Sequence, residues 1–154
     1  MDVVFGFVGD KFAVIVTDTA SVQQIIVQKD DMEKTMDLDS HKLMAMSGPK
    51  GDCVYFGEYI QANMKLYELK NGSKLSTAAA ANFTRNNLAE ALRKGPYQVN
   101  LLLAGYDADE DECSLYFMDY MASMQKVNSG KAMKVAKLSS SLFQGKGEGW
   151  VGVV

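Results

Sequence analysis

The order of strand-like and helix-like patterns along the chain predicts an α+β fold. Short apolar runs typical of strands fill the first part of the sequence, two helix-like stretches follow one another in the middle, and strand-like runs return after Pro96. Two consecutive helices between groups of strands favour helices that cover one sheet, whereas βαβ units would alternate strand and helix. The 154 residues are expected to form one hydrophobic core.

The chain opens with a predicted β-hairpin. Residues 3–8 and 12–17 are rich in Val, Ile and Phe, and Gly9-Asp10-Lys11 connects them. Because the apolar runs are continuous rather than alternating, we expect these strands to be covered on both faces. Further strands are predicted over residues 25–27, 34–38 and 41–47, with Asp39-Ser40 as the turn between the last two.

Two amphipathic helices follow the turn at residues 48–51. Apolar side chains spaced three or four apart from residue 52 onward predict the first helix, which Asn71-Gly72 ends. Ser76 or Thr77 caps the second helix, and Gly95-Pro96 closes it. We expect surface from both helices to contact neighbouring proteins, through the alanines at 78–81 and through Tyr55, Tyr59 and Tyr67.

Three further strands are predicted after the helix pair, over residues 98–106, 114–119 and 122–127. The acidic turn at residues 107–112 is expected to be a solvated loop, because it is too charged to be buried. A calcium-binding loop is disfavoured, because the spacing lacks its glycine at position six and its terminal bidentate glutamate. Residues 128–154 differ in character, with four lysines, one glutamate, five glycines and no clear period. The sequence therefore predicts one domain over residues 1–127 and a divergent, flexible tail over residues 128–154.

Composition disfavours several classes of function. A net charge of -3 and a pI near 5.1 leave no basic surface for nucleic acid or an anionic membrane. We expect a protein of the cytoplasm and nucleus, because neither a secretory signal nor a membrane-spanning run is present. The chain has two cysteines, Cys53 and Cys113, which are too few for a disulfide scaffold. Its single histidine, His41, excludes a zinc site with two histidines. Cys53 is better interpreted as a small apolar filler than as a nucleophile. No metal and no cofactor are expected.

Three stretches carry a resemblance to a known family. Their sequences are Ala-Ala-Ala-Ala-Asn-Phe-Thr-Arg at 78–85, Tyr-Gln-Val-Asn-Leu-Leu-Leu-Ala-Gly-Tyr-Asp at 97–107, and Leu-Tyr-Phe-Met-Asp-Tyr at 115–120. Together with the opening hairpin and the helix pair, they resemble the eukaryotic proteasome beta subunits over about residues 1–127, and most closely those at the fourth position of the beta ring. The resemblance implies a four-layer αββα sandwich of the N-terminal-nucleophile hydrolase type, which the altered tail would leave C-terminally incomplete.

The resemblance also implies where a catalytic site would lie. Active members begin with a threonine whose hydroxyl attacks the peptide bond while its own α-amino group takes the proton. Residue-by-residue matching places Asp18 and Lys34 at the charged positions near that threonine, and Gly48 at the glycine whose N–H binds the oxyanion. The threonine position is occupied by Asp2, which has no hydroxyl to activate. The resemblance therefore implies a degenerate site.

The function implied by the resemblance is that of a non-catalytic structural subunit of the 20S proteasome core particle. Its partners would be the alpha and beta subunits of the 28-subunit core, which acts in ATP- and ubiquitin-dependent protein degradation. Two alternatives stay open, namely a threonine-type peptidase of the N-terminal-nucleophile class and a truncated isoform that cannot assemble. Asp18 and Lys34 are more simply interpreted as a charge pair retained for packing than as catalytic groups.

Overall fold

A computed structural model describes residues 3–23, 26–128, 130, 132–135 and 150–153. Its helices are α1 (Lys50–Asn71) and α2 (Thr77–Ala91). Its strands, numbered in chain order, are β1 (Val4–Val8), β2 (Ala13–Asp18), β3 (Ser21–Gln23), β4 (Ile26–Lys29), β5 (Thr35–Asp39), β6 (Lys42–Ser47), β7 (Asn100–Asp107), β8 (Glu112–Met118), β9 (Met124–Val127), β10 (Ala132–Val135) and β11 (Trp150–Val153).

The strands pair antiparallel in three sheets. A four-stranded sheet has the order β10-β1-β2-β11, a five-stranded sheet has the order β5-β6-β7-β8-β9, and β3 pairs with β4 alone. The helices pack on one face of the five-stranded sheet, and the four-stranded sheet packs on the other. The described residues thus form helix, sheet and sheet layers, which confirms the α+β sandwich. Within those residues, no helix covers the outer face of the four-stranded sheet.

Strand β7 is apolar along its centre, because it lies in the middle layer of the sandwich. Leu101 and Leu103 are fully buried in the core between the five-stranded sheet and the helices. Leu102 and Ala104 point to the opposite face and are buried between the two sheets. Successive side chains of a strand alternate between faces, so a strand in the middle layer needs apolar residues at every position.

The opening hairpin differs from the sequence prediction in one respect. Its inward side chains, such as Val4 and Ile15, are fully buried between the sheets, but Phe7 on the outer face is 37% exposed. The expectation that both faces are covered is therefore wrong for the described residues. The physical reason is that α1 and α2 both lie against the other sheet, so nothing described here covers the outward side chains of β1 and β2.

The helix pair lies where the sequence predicts it. Gly72 ends α1 in the left-handed conformation, with φ of 67°, and the Ser76 side chain caps α2 by accepting a hydrogen bond from the Ala79 backbone N–H at 3.2 Å. Ala80 is fully buried in this chain's own core, whereas Tyr55 and the other two tyrosines of α1 are exposed. Ala80 is thus a core residue rather than a contact for neighbours.

Two strands fall within the range predicted as a tail. Strand β10 pairs with β1 and strand β11 pairs with β2, so both extend the four-stranded sheet at its edges. A hairpin, β3 with β4, replaces the single strand predicted at 25–27, where residue 25 lies outside the described residues. The division into a domain at 1–127 and a tail stays a prediction.

Candidate active site

A buried ion pair joins two of the residues that the sequence singled out. Lys34 Nζ lies 2.7 Å from Asp18 Oδ1, and the side chains are 2% and 20% exposed. Asp18 ends β2, and Lys34 immediately precedes β5, so the pair links the four-stranded sheet to the five-stranded sheet. A buried ammonium without such a carboxylate would be strongly destabilising.

The same carboxylate contacts the start of the described chain. Asp18 Oδ1 accepts a hydrogen bond from the Val3 backbone N–H at 2.8 Å, and the Asp18 N–H donates to the Val3 carbonyl at 3.0 Å. Val3 directly follows position 2 in the sequence, where the resemblance places the nucleophile. Asp2 itself lies outside the described residues.

The ion pair also closes the base of the β3–β4 hairpin. Lys34 Nζ donates a second hydrogen bond to the Ala20 carbonyl at 2.8 Å, and the Met32 N–H donates to the Thr19 carbonyl at 2.8 Å. Both bonds connect the segment that enters the hairpin with the segment that leaves it. Lys34 thus has a structural contact that is independent of any catalytic chemistry.

Gly48, the third matched position, follows β6 and requires glycine. Its φ is 154°, and a Cβ added there would lie 2.3 Å from the Gln98 carbonyl oxygen. Any other side chain would clash with this backbone atom, which cannot move without disturbing the start of β7. The turn before α1 therefore depends on glycine for packing as well as for conformation.

Lys34 and Gly48 border one small cavity of about 70 Å³. Its apolar lining is rich in sulfur, because Met32, Met36, Met46 and Cys53 contribute side chains. The Met46 N–H donates to the Lys34 carbonyl at 3.1 Å, which holds the two sides of the cavity in register. Lys34 and Gly48 therefore share one pocket, and Asp18 is connected to it through its ion pair with Lys34.

This arrangement can stabilise negative charge but does not by itself supply a nucleophile. An ammonium group beside a glycine turn is the kind of environment that stabilises a developing oxyanion. Hydrolysis also needs a hydroxyl or thiol next to a base. Among the lining residues, Thr35 donates its hydroxyl proton to Glu33 at 3.2 Å, and Cys53 is buried at the beginning of α1. Neither is placed at the position where the family resemblance puts the attacking group.

Several other titratable residues lie away from this cavity. His41 is exposed at the β5–β6 turn, next to Ser40. In the acidic turn, Asp111 accepts hydrogen bonds from Lys11 and Tyr106, and the Lys11 bond is the main cause of its lowered pKa. Burial raises the pKa of the Cys113 thiol. Across the described ranges, no group of three histidine, cysteine, aspartate or glutamate side chains that could hold a metal occurs, and no helix is long and apolar enough to cross a membrane.

Two contacts of buried lysines were not foreseen from the sequence. The Ala20 carbonyl is the second acceptor for Lys34, and backbone acceptors carry no sequence signal. A second buried pair, Lys42 Nζ with Asp39 Oδ2 at 3.1 Å, lies at the β5–β6 turn. Asp39 and Lys42 are three residues apart on either side of a predicted turn, and this spacing could have indicated the ion pair.

Comparison with protein families gives a match over most of the chain. The family described as "Proteasome subunit" matches residues 2–138. The match covers far more than half of the 154 residues. It includes every described strand of the two packed sheets except β11.

Individual relatives are similar over nearly the same length. The chain is 55% identical over 130 residues to proteasome subunit beta type-2-A of Arabidopsis thaliana, which covers 84% of this chain and 63% of the relative. It is 56% identical to proteasome subunit beta type-2 of Oryza sativa subsp. japonica, over 84% and 61% of the two chains. Proteasome subunit beta type-4 of Saccharomyces cerevisiae is 37% identical, over 84% and 66%. The chain thus spans somewhat less than two thirds of the length of the plant relatives.

Proposed function

This chain belongs to the proteasome subunit family, and we propose that it is a non-catalytic, structural beta subunit of the 20S core particle. In this role it would join alpha and beta subunits in a particle that degrades proteins in an ATP- and ubiquitin-dependent manner. The cytoplasm and the nucleus are its proposed locations. Similarity to type-2 beta subunits supports the membership in a core particle, and the residue at position 2 supports the non-catalytic role.

Asp2 is the observation that carries the non-catalytic part of the proposal. Matching back from Asp18 puts this aspartate where active members have their threonine. A carboxylate has no hydroxyl proton for an α-amino base to remove, so it cannot form the attacking alkoxide. Lys34 can stabilise negative charge, but hydrolysis also needs an attacking atom.

Two exposed apolar surfaces support a role within an assembly. The β3–β4 hairpin has 65% exposure at Ile26 and 63% at Val27, and these neighbours point to opposite faces of the strand. A two-stranded hairpin is marginally stable alone in water. Phe7 and Phe12 are also exposed, on and beside β1. Apolar surface of this kind is typical of a subunit that is covered by partners.

Affinity purification of the tagged chain from its own cells tests the assembly. We expect alpha and beta proteasome subunits to co-purify in a particle of the size of the core. A matched variant, Ile26→Asp, should reduce incorporation because it places a charge on the exposed hairpin without disturbing the core. Recovery of the chain alone, with no other subunit, would favour the isoform that cannot assemble and would contradict the proposal.

A further inference from the structure

Four sulfur-containing side chains border the small cavity beside Lys34 and Gly48, and the proposed function does not use them. Met32 precedes β5, Met36 lies in β5, Met46 lies in β6 and Cys53 lies at the beginning of α1. Different elements of the fold therefore bring one thiol and three thioethers to the wall of a single space. We call these four residues the sulfur site.

The size of the cavity limits what the sulfur site could hold. The cavity has a volume of about 70 Å³, whereas pockets that bind small organic molecules usually have volumes of about 300–1,000 Å³. A water molecule occupies about 30 Å³ in the liquid. The space therefore fits a single ion better than an organic ligand.

Two of the thioether side chains converge on a glycine of helix α1. Gly57 follows Cys53 by one helical turn, and both residues are buried. A Cβ added at Gly57 would lie 2.6 Å from Met46 Cε and 3.0 Å from Met36 Sδ. Glycine therefore leaves the space into which the ends of both methionine side chains reach, one turn from the cysteine.

The donor atoms of the sulfur site favour a soft metal ion. Thiolate and thioether ligands select Cu(I), whereas oxygen ligands suit Mg²⁺ and Ca²⁺. Zinc is usually held by four ligands drawn from cysteine, histidine and carboxylates, and the described residues contain no group of three such side chains that could hold it. Thioethers are neutral, so one thiolate balances the single charge of Cu(I).

The surroundings of Cys53 favour the thiolate that such an ion needs. Its position in the opening turns of α1 places it near the partial positive charge of a helix N-terminus, which stabilises thiolates. Lys34 also borders the cavity, but Asp18 balances its charge. Glu33 and Lys50, which border the cavity as well, carry opposite charges. The charged groups around the cavity therefore do not exclude a monovalent cation.

We propose that the sulfur site binds one Cu(I) ion through the Cys53 thiolate and the Met36 and Met46 thioethers, with Met32 completing the sulfur lining. On binding, the Cys53 S–H bond breaks, the sulfur electron pair forms the Cu–S bond, and the proton passes to solvent. Copper stays in the Cu(I) state, so no electron is transferred. The ion joins β5, β6 and α1. The proposal does not depend on the role in the core particle, because every ligand comes from this chain.

Competition with a chromogenic Cu(I) chelator tests the site on the full chain, under anaerobic conditions with ascorbate. We expect one Cu(I) per chain and release of about one proton. Cys53→Ala should weaken binding by roughly 100-fold or more, and Met36→Leu and Met46→Leu should each weaken it by roughly tenfold or more. Leucine is close to methionine in volume, so these two variants keep the packing around the cavity.

The chain offers matched controls for both kinds of ligand. Cys113 is also buried, but it borders a different cavity. Met64 is buried in the same core, two turns beyond Gly57 on α1. Cys113→Ala and Met64→Leu should therefore bind Cu(I) as tightly as the wild type does. Zn²⁺ should not displace the ion, because it prefers nitrogen, oxygen and thiolate ligands to thioethers.

Nuclear magnetic resonance of the methionine methyl groups identifies the ligands directly. With Ag(I), a redox-inert ion that also prefers sulfur, the methyl signals of Met36 and Met46 should shift at one equivalent while that of Met64 stays in place. A wild-type chain that binds Cu(I) no more tightly than Cys53→Ala would overturn the proposal. Equal losses in the two cysteine variants, or methyl shifts confined to methionines outside the sulfur site, would overturn it as well.

Discussion

Among the residues that the structure describes, two lysine side chains are almost completely buried, and they are held in different ways. Lys34 pairs with Asp18, sixteen residues earlier, and also donates to a backbone carbonyl at the base of a hairpin. Lys42 is 3% exposed and pairs with Asp39 across a single turn. The first pair holds together elements that are distant in sequence, whereas the second stabilises a turn that β5 and β6 already define. Burial alone therefore does not determine how much a charge pair contributes to the fold.

Replacing Lys34 should have the largest effect. Lys34→Met removes the ammonium and leaves the Asp18 carboxylate and the Ala20 carbonyl without this donor, so we expect the free energy of unfolding to fall by about 3–5 kcal/mol. Denaturant unfolding measures the change. The double variant Asp18→Asn with Lys34→Met should recover part of the loss, because no unpaired charge remains. If Lys34→Met lowered the free energy of unfolding by less than Lys42→Met, the two pairs would not differ in the way described.

Replacing Lys42 should have a smaller effect. In Lys42→Met, Asp39 keeps the hydrogen bond from the His41 backbone N–H, which is 2.7 Å long. We therefore expect a loss of about 1.5–3 kcal/mol in the free energy of unfolding. Hydrogen exchange should show the loss confined to the β5–β6 turn, whereas the Lys34 variant should also expose the β3–β4 hairpin. Equal exposure of the hairpin in both variants would contradict the separation of roles.

A substitution at Gly48 tests the packing of the turn beside the cavity without altering any charge. Gly48→Ala introduces a Cβ at a φ of 154° and against the Gln98 carbonyl, so we expect a loss of about 1–3 kcal/mol. The matched control is Gly51→Ala in the first turn of α1, where an added Cβ meets nothing within 4 Å. That variant should be neutral or stabilising by up to about 1 kcal/mol. Destabilisation of the same size in both would show that the turn at Gly48 is not restrictive.

The smallest effect is expected at an exposed pair. Lys126 donates to Glu112 at 2.8 Å, and this hydrogen bond is the main cause of the lowered pKa of Glu112. A carboxyl whose pKa is lowered in the folded state adds stability above its ordinary pKa, and this stability disappears as the pH falls through the folded value. The difference in Tm between wild type and Glu112→Gln should therefore be small at neutral pH and vanish in acid or at high salt. A neutral-pH difference as large as that of the Lys42 variant would be inconsistent with an exposed pair.

The elements of the fold that have strong local signals were predictable from the sequence. The end of α1 follows from Asn71-Gly72, because glycine adopts the left-handed conformation there. The exposed outer face of β1 was not predictable, since a continuous apolar run does not distinguish a strand covered on one face from a strand covered on both. The matched positions Asp18, Lys34 and Gly48 were identified by resemblance. The hydrogen bond from Lys34 to the Ala20 carbonyl and the sulfur-rich cavity depend on tertiary placement and have no local pattern.

The central claim, that this chain is a beta subunit without a catalytic nucleophile, is tested most directly by covalent labelling. The particle purified through the tagged chain is treated with a peptide probe that reacts with N-terminal threonines, and each subunit is analysed by mass spectrometry. We expect the probe on other beta subunits of the same particle and none on this chain, whose matched position is Asp2. Labelling of this chain at a newly exposed N-terminal residue would show that it has a working nucleophile and would contradict the account.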